Sequence, residues 1–365
     1  MKKRIYAAVL LLALLLATLC GCGGLGFSDF PYGETVPQDG GAQLGNGSVT
    51  SSFEVHFIDV GQADAALIRC TGKTMLIDGG NKEDSSLIYS YLQKQSITHL
   101  DYVVCTHAHE DHVGGLSGAL TAATAGKVLA PVTSYDSDAF RDFVTKAGDR
   151  GCEIEIPNAG DRFLLGDATV TVLGPTKQYD ETNDTSLVLR VVYGSTSFLF
   201  TGDMESSAEA DLLEAGAELR STVLKVGHHG SSTSTSSDFL RAVAPAYGVI
   251  SVGADNQYDH PNDDVLTRLR VAGVTLYRTD LQGDVICKSD GVTVSFTTQK
   301  NSNAVTNPTE SETSDGETVY IGNQNSKVYH LPTCTSLPAE QNQVRFASRE
   351  EAEQNGYHNC SRCLP

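Results

Sequence analysis

Tryptophan is absent from this chain of 365 residues, methionine occurs only three times, and aromatic residues make up only 7% of the sequence. Basic residues are also scarce, because 26 lysines and arginines stand against 45 aspartates and glutamates, for a formal net charge of −19. An acidic chain has no general electrostatic attraction for nucleic acid or for an anionic membrane, which excludes a non-specific DNA-coating protein. It does not exclude an enzyme whose metal ions supply local positive charge.

Only the N-terminus carries a sustained apolar run, over residues 5–19, preceded by Lys2, Lys3 and Arg4. Such a run is too short to cross a bilayer comfortably and is typical of a secretory signal. The sequence LCGC that ends at Cys22 resembles a bacterial lipobox. We therefore expect residues 1–21 to be a signal peptide, Cys22 to carry lipid, and residues 22–51 to form a flexible tether. Cleavage would change the net charge from −19 to −22. An ordinary signal peptide or an uncleaved anchor remains the alternative.

Composition divides the remaining chain into three parts. Residues 52–299 alternate strand-like and helix-like segments, whereas residues 300–317 are rich in Asn, Ser, Thr and Glu and are predicted to be a linker. Residues 318–365 are too few to build a robust core without a staple. Paired strands followed by alternating helices predict an α/β sandwich with mixed sheets rather than a doubly wound sheet.

The strongest chemical signal is the segment THAHEDH, residues 106–112, directly after a predicted buried strand. Imidazole and carboxylate side chains at this density suit Zn²⁺, Mn²⁺ or Fe. His107 and His109 lie two residues apart in an extended segment, so they point the same way and can hold one ion. Asp111 and His112, at the start of the next helix, can hold a second.

This HxHxDH pattern is similar to the signature of the metallo-β-lactamase superfamily. Other segments resemble the superfamily's motifs in the same order, namely residues 76–80 (LIDGG), 200–203 (FTGD) and 225–231 (KVGHHGS). The resemblance covers roughly residues 53–299 and implies an αββα sandwich with two divalent metal ions, Zn or Mn. It also implies that Asp78 orients the ligands, that Asp203 bridges the two metals, and that His229 is a ligand.

Further segments narrow the resemblance to the soluble domain of ComEC-type competence proteins. These are membrane channels for DNA uptake whose metallo-β-lactamase-like domain is associated with degrading the strand that is not imported. The segments are residues 56–65, 183–189 and 258–262, with the TGD and HHGS sequences. Ala63 stands where that family usually has Gly. As in ComEC-type proteins, the third motif lacks a β-lactamase-like His, and Asn183 and Ser186 occupy its region, so one metal is expected to have a more open shell.

Several roles stay open at this point. If His229 binds metal, His228 faces the substrate, and either His228 or His260 protonates the leaving group. His260 is alternatively a ligand or a cap for the helix that starts at Asp263. Asp111 is expected to act in catalysis as well as in metal binding. Asp59 and Asp64 either line the site or hydrogen-bond its loops.

The C-terminus contains its own ligand set, in which His330 and Cys334 are followed by Cys360 and Cys363. The H-x₃-C and C-x₂-C pairs suit one closed, tetrahedral structural Zn²⁺ site. The segment resembles the metal-binding module of Ada-type DNA repair proteins, which recurs appended to nucleases. His330 replaces a Cys of that module, which puts repair through a reactive Cys in doubt. A disulfide from Cys334 and a ligand role for His358 are the alternatives.

The leading hypothesis is an exported, surface-anchored, two-metal phosphodiester hydrolase that acts on DNA and is held at the membrane by its lipid. A second hypothesis is a phosphodiesterase for a small or cell-wall diester such as a phosphocholine ester. A third is a DNA-binding lipoprotein with a vestigial metal site. No protein partner is inferable from the sequence.

Overall fold

The structure, a computed structural model, describes residues 52–307, 320–332, 334–346 and 348–364. The predicted signal peptide, the lipidation site at Cys22, the tether to residue 51 and most of the predicted linker lie outside these residues. No helix among the described residues is long and apolar enough to cross a membrane.

Residues 52–299 supply two β-sheets. Their strands are β1 (Phe53–Phe57), β2 (Ala66–Cys70), β3 (Lys73–Ile77), β4 (His99–Val104), β5 (Thr124–Leu129), β6 (Ile154–Glu155), β7 (Arg162–Leu165), β8 (Ala168–Gly174), β9 (Val188–Tyr193), β10 (Thr196–Phe200), β11 (Val223–Lys225), β12 (Tyr247–Ile250), β13 (Thr275–Arg278), β14 (Val285–Ser289) and β15 (Val294–Thr298). The first sheet has the order β15-β14-β1-β2-β3-β4-β5-β6, and the second has the order β13-β12-β11-β10-β9-β8-β7. Both sheets are mixed, as predicted, because antiparallel hairpins adjoin parallel strands.

The helices flank these sheets. They are α1 (Ser85–Lys94), α2 (Glu110–Val113), α3 (Leu116–Ala122), α4 (Asp138–Asp149), α5 (Ser206–Glu214), α6 (Ser237–Val243), α7 (Asp263–Val271) and α8 (Thr279–Gln282). Apolar residues of α1 to α4 pack in one cluster on the first sheet, around Leu100 and Phe143. Residues of α5 to α7 pack in another on the second sheet, around Leu224 and Phe239.

A third apolar cluster fills the space between the two sheets. Phe53 and Phe198, whose ring centroids lie 4.7 Å apart, come from facing sheets, as do Phe57 and Phe200. All five residues of β10 are buried because this central strand is covered on both faces. Four layers therefore stack in the order helix, sheet, sheet, helix, and the predicted αββα sandwich is confirmed.

The C-terminal residues form a separate small sheet. It contains β16 (Tyr320–Asn323), β17 (Val328–His330), β18 (Gln343–Phe346) and β19 (His358–Asn359), in the order β18-β16-β17-β19, with helix α9 (Arg349–Gln354) against it. Its apolar cluster is built from tyrosine, phenylalanine and leucine side chains, and Val271 of α7 packs against it. The apolar core of this unit is small, and its need for a metal staple stays a prediction.

The seven cysteines in the described ranges are free thiols. Cys70, Cys105 and Cys287 are buried single thiols as predicted, and Cys152 is partly exposed. The alternative of a disulfide between Cys334 and a C-terminal cysteine is wrong for the described residues.

Removing the aromatic contact between the two sheets is expected to destabilise the sandwich. Phe198→Ala should lower the free energy of unfolding by about 3–5 kcal/mol, because it leaves a cavity opposite Phe53. Urea unfolding followed by far-ultraviolet circular dichroism measures this, since the chain has no Trp for fluorescence. The control Leu164→Ala, whose parent side chain is 67% exposed, should change stability by less than about 0.5 kcal/mol. Equal effects of the two variants would contradict the assignment of this core.

Candidate metal centre

The carboxyl ends of five strands converge at one edge of the sandwich. Strands β3 and β4 of the first sheet end at Asp78 and at the His-rich segment. Strands β10, β11 and β12 of the second sheet end at the segments that carry Asp203, His229 and Ser251. Because parallel strands end at the same edge of a sheet, motifs far apart in sequence become neighbours.

Asp78 holds the His-rich segment in place. Its carboxylate accepts hydrogen bonds from Thr106 N and Thr106 Oγ1, both at 2.7 Å, and from His112 Nδ1 at 2.8 Å. Gly79 and Gly115 let the two backbones approach closely, since a Cβ on Gly79 would lie 2.6 Å from Leu116 N. Gly115 has an ordinary helical φ of −80°, so the close approach, rather than a special turn conformation, requires glycine there. Asp78 thus lies where it orients His112, as the resemblance implies.

Two groups of ligand atoms adjoin each other. His107 Nε2 lies 3.1 Å from His109 Nδ1, so these two imidazoles converge as predicted. The ring centroids of His107 and His112 are 4.1 Å apart, so the His107/His109 pair lies beside the second group, to which His112 belongs.

The second group combines Asp111, His112, Asp203 and His229. His112 Nε2 lies 3.2 Å from Asp203 Oδ1, and His229 Nε2 lies 3.2 Å from Asp111 Oδ2 and 3.5 Å from Asp203 Oδ2. His229 Nδ1 donates to Ser251 O at 2.9 Å, which directs Nε2 into the centre. The structure therefore brings together all six residues predicted to hold the two metals.

Asp64 joins this group more closely than the sequence indicated. One carboxylate oxygen of Asp64 lies within 4.8 Å of ligand atoms of His112, Asp203 and His229. Asp64 Oδ2 pairs with the buried Lys225 Nζ at 2.8 Å. Asp59 does not line the cleft described below, and its Oδ2 pairs with Lys300 Nζ at 3.1 Å. Its Oδ1 accepts a hydrogen bond from Gly61 N at 3.4 Å, so of the two predicted roles it has the loop-bonding one.

The buried charges show that this centre suits a cation. His112 Nε2 and Asp203 Oδ1 are buried, and apart from their mutual ion-pair contact at 3.2 Å neither has a hydrogen-bond partner among the described residues. Burial lowers the pKa of His112, but the carboxylates of Asp203 and Asp78 raise it well above its usual value. Burial also lowers the pKa of His229, but the carboxylates of Asp203 and Asp111 outweigh this effect and raise the pKa to about 10. Protons bound to the imidazoles thus balance the negative charge of the carboxylates. Divalent ions would displace these protons, so the donor set fits such ions.

His228 and His260 lie beside the centre. His228 and His229 both have left-handed φ angles, 50° and 52°, which turn their rings in different directions. His228 Nε2 lies 3.7 Å from Asp203 Oδ2, and its ring lies 5.6 Å from that of His260. The capping alternative for His260 is wrong, because the residue before α7 is Asn262. Burial and the nearby His228 lower the pKa of His260 to about 4.

An open cleft of about 400 Å³ leads to these side chains. Asn183 lines it and donates from Nδ2 to Glu205 Oε1 at 3.0 Å, while its buried Oδ1 makes no hydrogen bond among the described residues. Ser186 Oγ accepts from Asp203 N at 3.1 Å and so holds the backbone of Asp203 in place.

Sequence reasoning did not assign a site role to Gln62, Asn81 or Tyr258, which also line the cleft. Gln62 and Tyr258 stand in the segments that resemble ComEC-type proteins, and this was the available signal. Tyr258 is 57% exposed and its ring stacks on His260 with centroids 5.7 Å apart.

A second candidate metal site lies in the C-terminal unit. Ligand atoms of His330, Cys334, Cys360 and Cys363 all lie within 4.8 Å of one another, and His330 Nδ1 is 3.3 Å from Cys334 Sγ. Three sulfurs and one imidazole form a donor set that fits structural Zn²⁺. His358 is exposed on β19 and is not part of this cluster.

Comparison with known families matches both parts of the chain. Residues 58–254 match the sequence profile of the metallo-beta-lactamase superfamily, and residues 307–365 match that of the metal binding domain of Ada.

Relatives and solved structures were found over most of the first part. The chain is 29% identical over 256 residues to ComE operon protein 3 of Bacillus subtilis, and 34% identical over 228 residues to competence protein ComA of Neisseria gonorrhoeae. These alignments cover 65% and 62% of this chain but 33% and 30% of the relatives, so the chain spans about a third of their length. The metallo-beta-lactamase fold protein YhfI of Bacillus subtilis aligns over all of its own chain and 65% of this one, with 13% identity and a TM-score of 0.45.

Replacing the carboxylate that orients His112 is expected to weaken metal binding. Asp78→Asn should lower the affinity of the hydrolase site for Zn²⁺ or Mn²⁺ by about 10–100-fold, because the His112 ring loses its charged acceptor. Isothermal titration of metal into the metal-depleted protein measures this. The matched control Asp101→Asn removes an acceptor of Thr74 N at the opposite end of β4 and should bind as the parent does. Unchanged affinity of Asp78→Asn would contradict the role of Asp78.

Proposed function

We propose, because this chain belongs to the metallo-β-lactamase superfamily, that it is a phosphodiester hydrolase with two divalent ions that cleaves DNA outside the cell. The coarser conclusion, a metal-dependent hydrolase, follows from the fold and its buried Asp/His group. The observation that supports two ions is the adjacency of the His107/His109 pair and the Asp111/His112/Asp203/His229 group at one cleft.

The residues around the cleft have different proposed roles in holding the ions and in positioning their ligands. His107, His109, Asp111, His112, Asp203 and His229 would hold the ions, and divalent ions held there acidify a water and offset charge on a phosphoryl oxygen. Asp111 and Asp203 each approach His229, so they also set where the ligand rings can lie. Asn183, with a buried and unpartnered Oδ1, offers an amide oxygen where the superfamily's third motif usually has His.

His228 is the better candidate for the general acid. A pKa of about 4 leaves His260 neutral at pH 7, so it lacks the proton that a leaving oxygen needs. His228 lines the same cleft, and its Nδ1 lies 3.4 Å from Glu205 Oε1, a carboxylate that orients the ring. The neutral His260 supports Tyr258 by stacking.

Two observations favour DNA as the substrate. The relatives named for competence are similar to this chain across the hydrolase part, although the chain spans only about a third of their length. Tyr258 offers an exposed aromatic face at the cleft, on which a nucleobase can stack.

A small or cell-wall phosphodiester is the second candidate. Among the described residues that line the cleft there is no Lys or Arg, and Glu110 adds negative charge. Such a cleft suits a substrate with one phosphate better than a long polyanion. A vestigial site in a DNA-binding lipoprotein is the weaker proposal, since it leaves the converged ligand set without a purpose.

Export and anchoring complete the proposal. The predicted signal peptide and the lipid on Cys22 would place the hydrolase on the outer side of the bacterial membrane, with residues 22–51 as its tether. The N-terminal lipid is the only membrane contact proposed, and the C-terminal unit would hold one structural Zn²⁺ through His330, Cys334, Cys360 and Cys363.

Loss of the bridging carboxylate is expected to abolish hydrolysis. Asp203→Ala should lower cleavage of single- and double-stranded DNA and of bis-(p-nitrophenyl) phosphate by about a hundredfold or more with Zn²⁺ or Mn²⁺. Gel and absorbance assays measure it, with the surface variant Asp149→Ala as the matched control.

The substrates separate the candidates. DNA cleavage lost only in Asp203→Ala supports the nuclease. Cleavage of p-nitrophenylphosphocholine without DNA cleavage would replace it with the small-diester enzyme. No hydrolysis of any substrate by the parent protein would contradict both.

The two cleft histidines are expected to differ in effect. His228→Gln should lower kcat for DNA by about a hundredfold, whereas His260→Gln should lower it by less than about tenfold, because only His228 donates a proton. Bis-(p-nitrophenyl) phosphate, whose leaving group needs no proton, should be nearly insensitive to His228→Gln. A larger loss in His260→Gln would transfer the role to His260.

A further inference from the structure

A cavity of about 140 Å³ separates the C-terminal unit from the hydrolase domain. Cys334, Cys363 and Arg362 line it on one side, and Asp264 and Arg268 of α7 line it on the other. The two parts also touch directly nearby, because Arg241 Nη2 of α6 donates to Ser361 O at 3.0 Å. The candidate zinc site therefore lies against the hydrolase domain at α6 and α7.

From this cavity, Arg268 contacts another segment of the hydrolase domain, residues 231–236. Its Nη2 donates to Ser234 O at 3.2 Å, while its buried Nε makes no hydrogen bond among the described residues. A guanidinium with a free buried donor is costly unless an acceptor or a negative charge lies near. A zinc ion with three thiolates and one neutral imidazole carries a net negative charge, which the charges of Arg268 and Arg362 at this cavity would balance.

Ser234 belongs to the segment that follows the two active-site histidines. Thr233 Oγ1 in this segment lies 3.2 Å from His228 Nδ1. Ser234 Oγ donates at 2.8 Å to the carbonyl of Met204, the residue after Asp203. The segment thus connects the proposed general acid and the bridging carboxylate to Arg268.

Glu209 of α5 also holds residues 231–236 in place. Glu209 is buried, and its carboxylate accepts hydrogen bonds from Thr235 N and from Ser236 N. Burial raises the pKa of Glu209, and the hydrogen bonds from Ser236 and Thr235, together with the Arg268 charge, oppose that rise. Burial lowers the pKa of Arg268, and the nearby carboxylates of Asp264 and Glu209 oppose that shift. The thiolate cluster across the cavity would add a negative group on the side of the C-terminal unit.

We propose that Arg268 is a positioning residue that couples the zinc-loaded C-terminal unit to residues 231–236 and thereby fixes His228. The coupling holds whatever the substrate is, and only its effect on kcat rests on the proposed function.

A double-mutant cycle tests the coupling in the full-length, metal-loaded protein. Cys360→Ser removes a ligand of the C-terminal site and leaves the hydrolase ligands intact, while Arg268→Met removes the guanidinium. Hydrogen–deuterium exchange of residues 231–236 reports the segment without requiring activity. Each single variant should speed this exchange by roughly tenfold or more, and the double variant should match the faster single variant. Arg141→Met, which removes an exposed arginine paired with Asp138 on α4, should exchange as the parent does.

Three further measurements distinguish a positioning role of Arg268 from a role in binding the C-terminal zinc. Arg268→Met should retain the C-terminal zinc, seen as unchanged thiolate-to-cobalt absorption after cobalt substitution. It should lower kcat for DNA with little change in KM, and Arg268→Lys should restore part of both kcat and exchange protection. If the parent protein hydrolyses nothing, the exchange cycle still decides the coupling.

Several results would overturn the proposal. Exchange in residues 231–236 that is unaffected by Cys360→Ser, or single-variant effects that add in the double variant, would show that the two sites are independent. Loss of cobalt binding in Arg268→Met would make Arg268 a stabilising residue of the zinc site alone.

Discussion

The buried negative charge at one edge of the sandwich is the constraint on which the rest of the structure depends. Asp64, Asp78 and Asp203 are each less than 5% exposed, and Asp111 lies beside them. A buried carboxylate is stable only when it is paired or hydrogen-bonded. Lys225 pairs with Asp64, and Thr106 donates twice and His112 Nδ1 once to Asp78, so these two carboxylates are compensated by the protein itself. Asp111 and Asp203 have imidazoles as their compensation, which is the condition under which a site takes up divalent cations.

The same constraint explains why the sheets are arranged as they are. Strands β10 and β11 are buried throughout, and β3 and β4 are buried at their carboxyl ends, so the apolar residues next to the site hold the two sheets rigidly together. The polar groups are confined to the segments after the strands, where backbone turns and cleft water can satisfy them. A rigid interior with ligands on the short segments that follow it keeps six side chains converged, although they come from three separate stretches of chain.

The chemistry of the site could be predicted from local sequence. Which of several candidate residues takes each role could not be predicted. His107 and His109 share one side of an extended segment, so their convergence follows from the period of a strand. The outcome for Asp64 and Asp59 could not be foreseen, because Asp64 meets Lys225 and Asp59 meets Lys300 across the fold. The preference for His228 over His260 as an acid likewise depends on burial and on the distance between their rings. Arg268 is an ordinary helical arginine in the sequence, and only its position against the cysteine cluster distinguishes it.

The sequence by itself determined the ligand types, the alternation of strands and helices that makes an αββα sandwich, and the C-terminal His/Cys set. These properties are local, since they depend on side-chain chemistry and on the spacing of residues that are close in the chain. The tertiary structure alone decided which carboxylates are compensated by lysine and which by histidine, which residues line the cleft, and where the C-terminal unit lies against α6 and α7. Those properties are set by contacts between residues far apart in sequence, and such contacts are defined only after the apolar layers have packed.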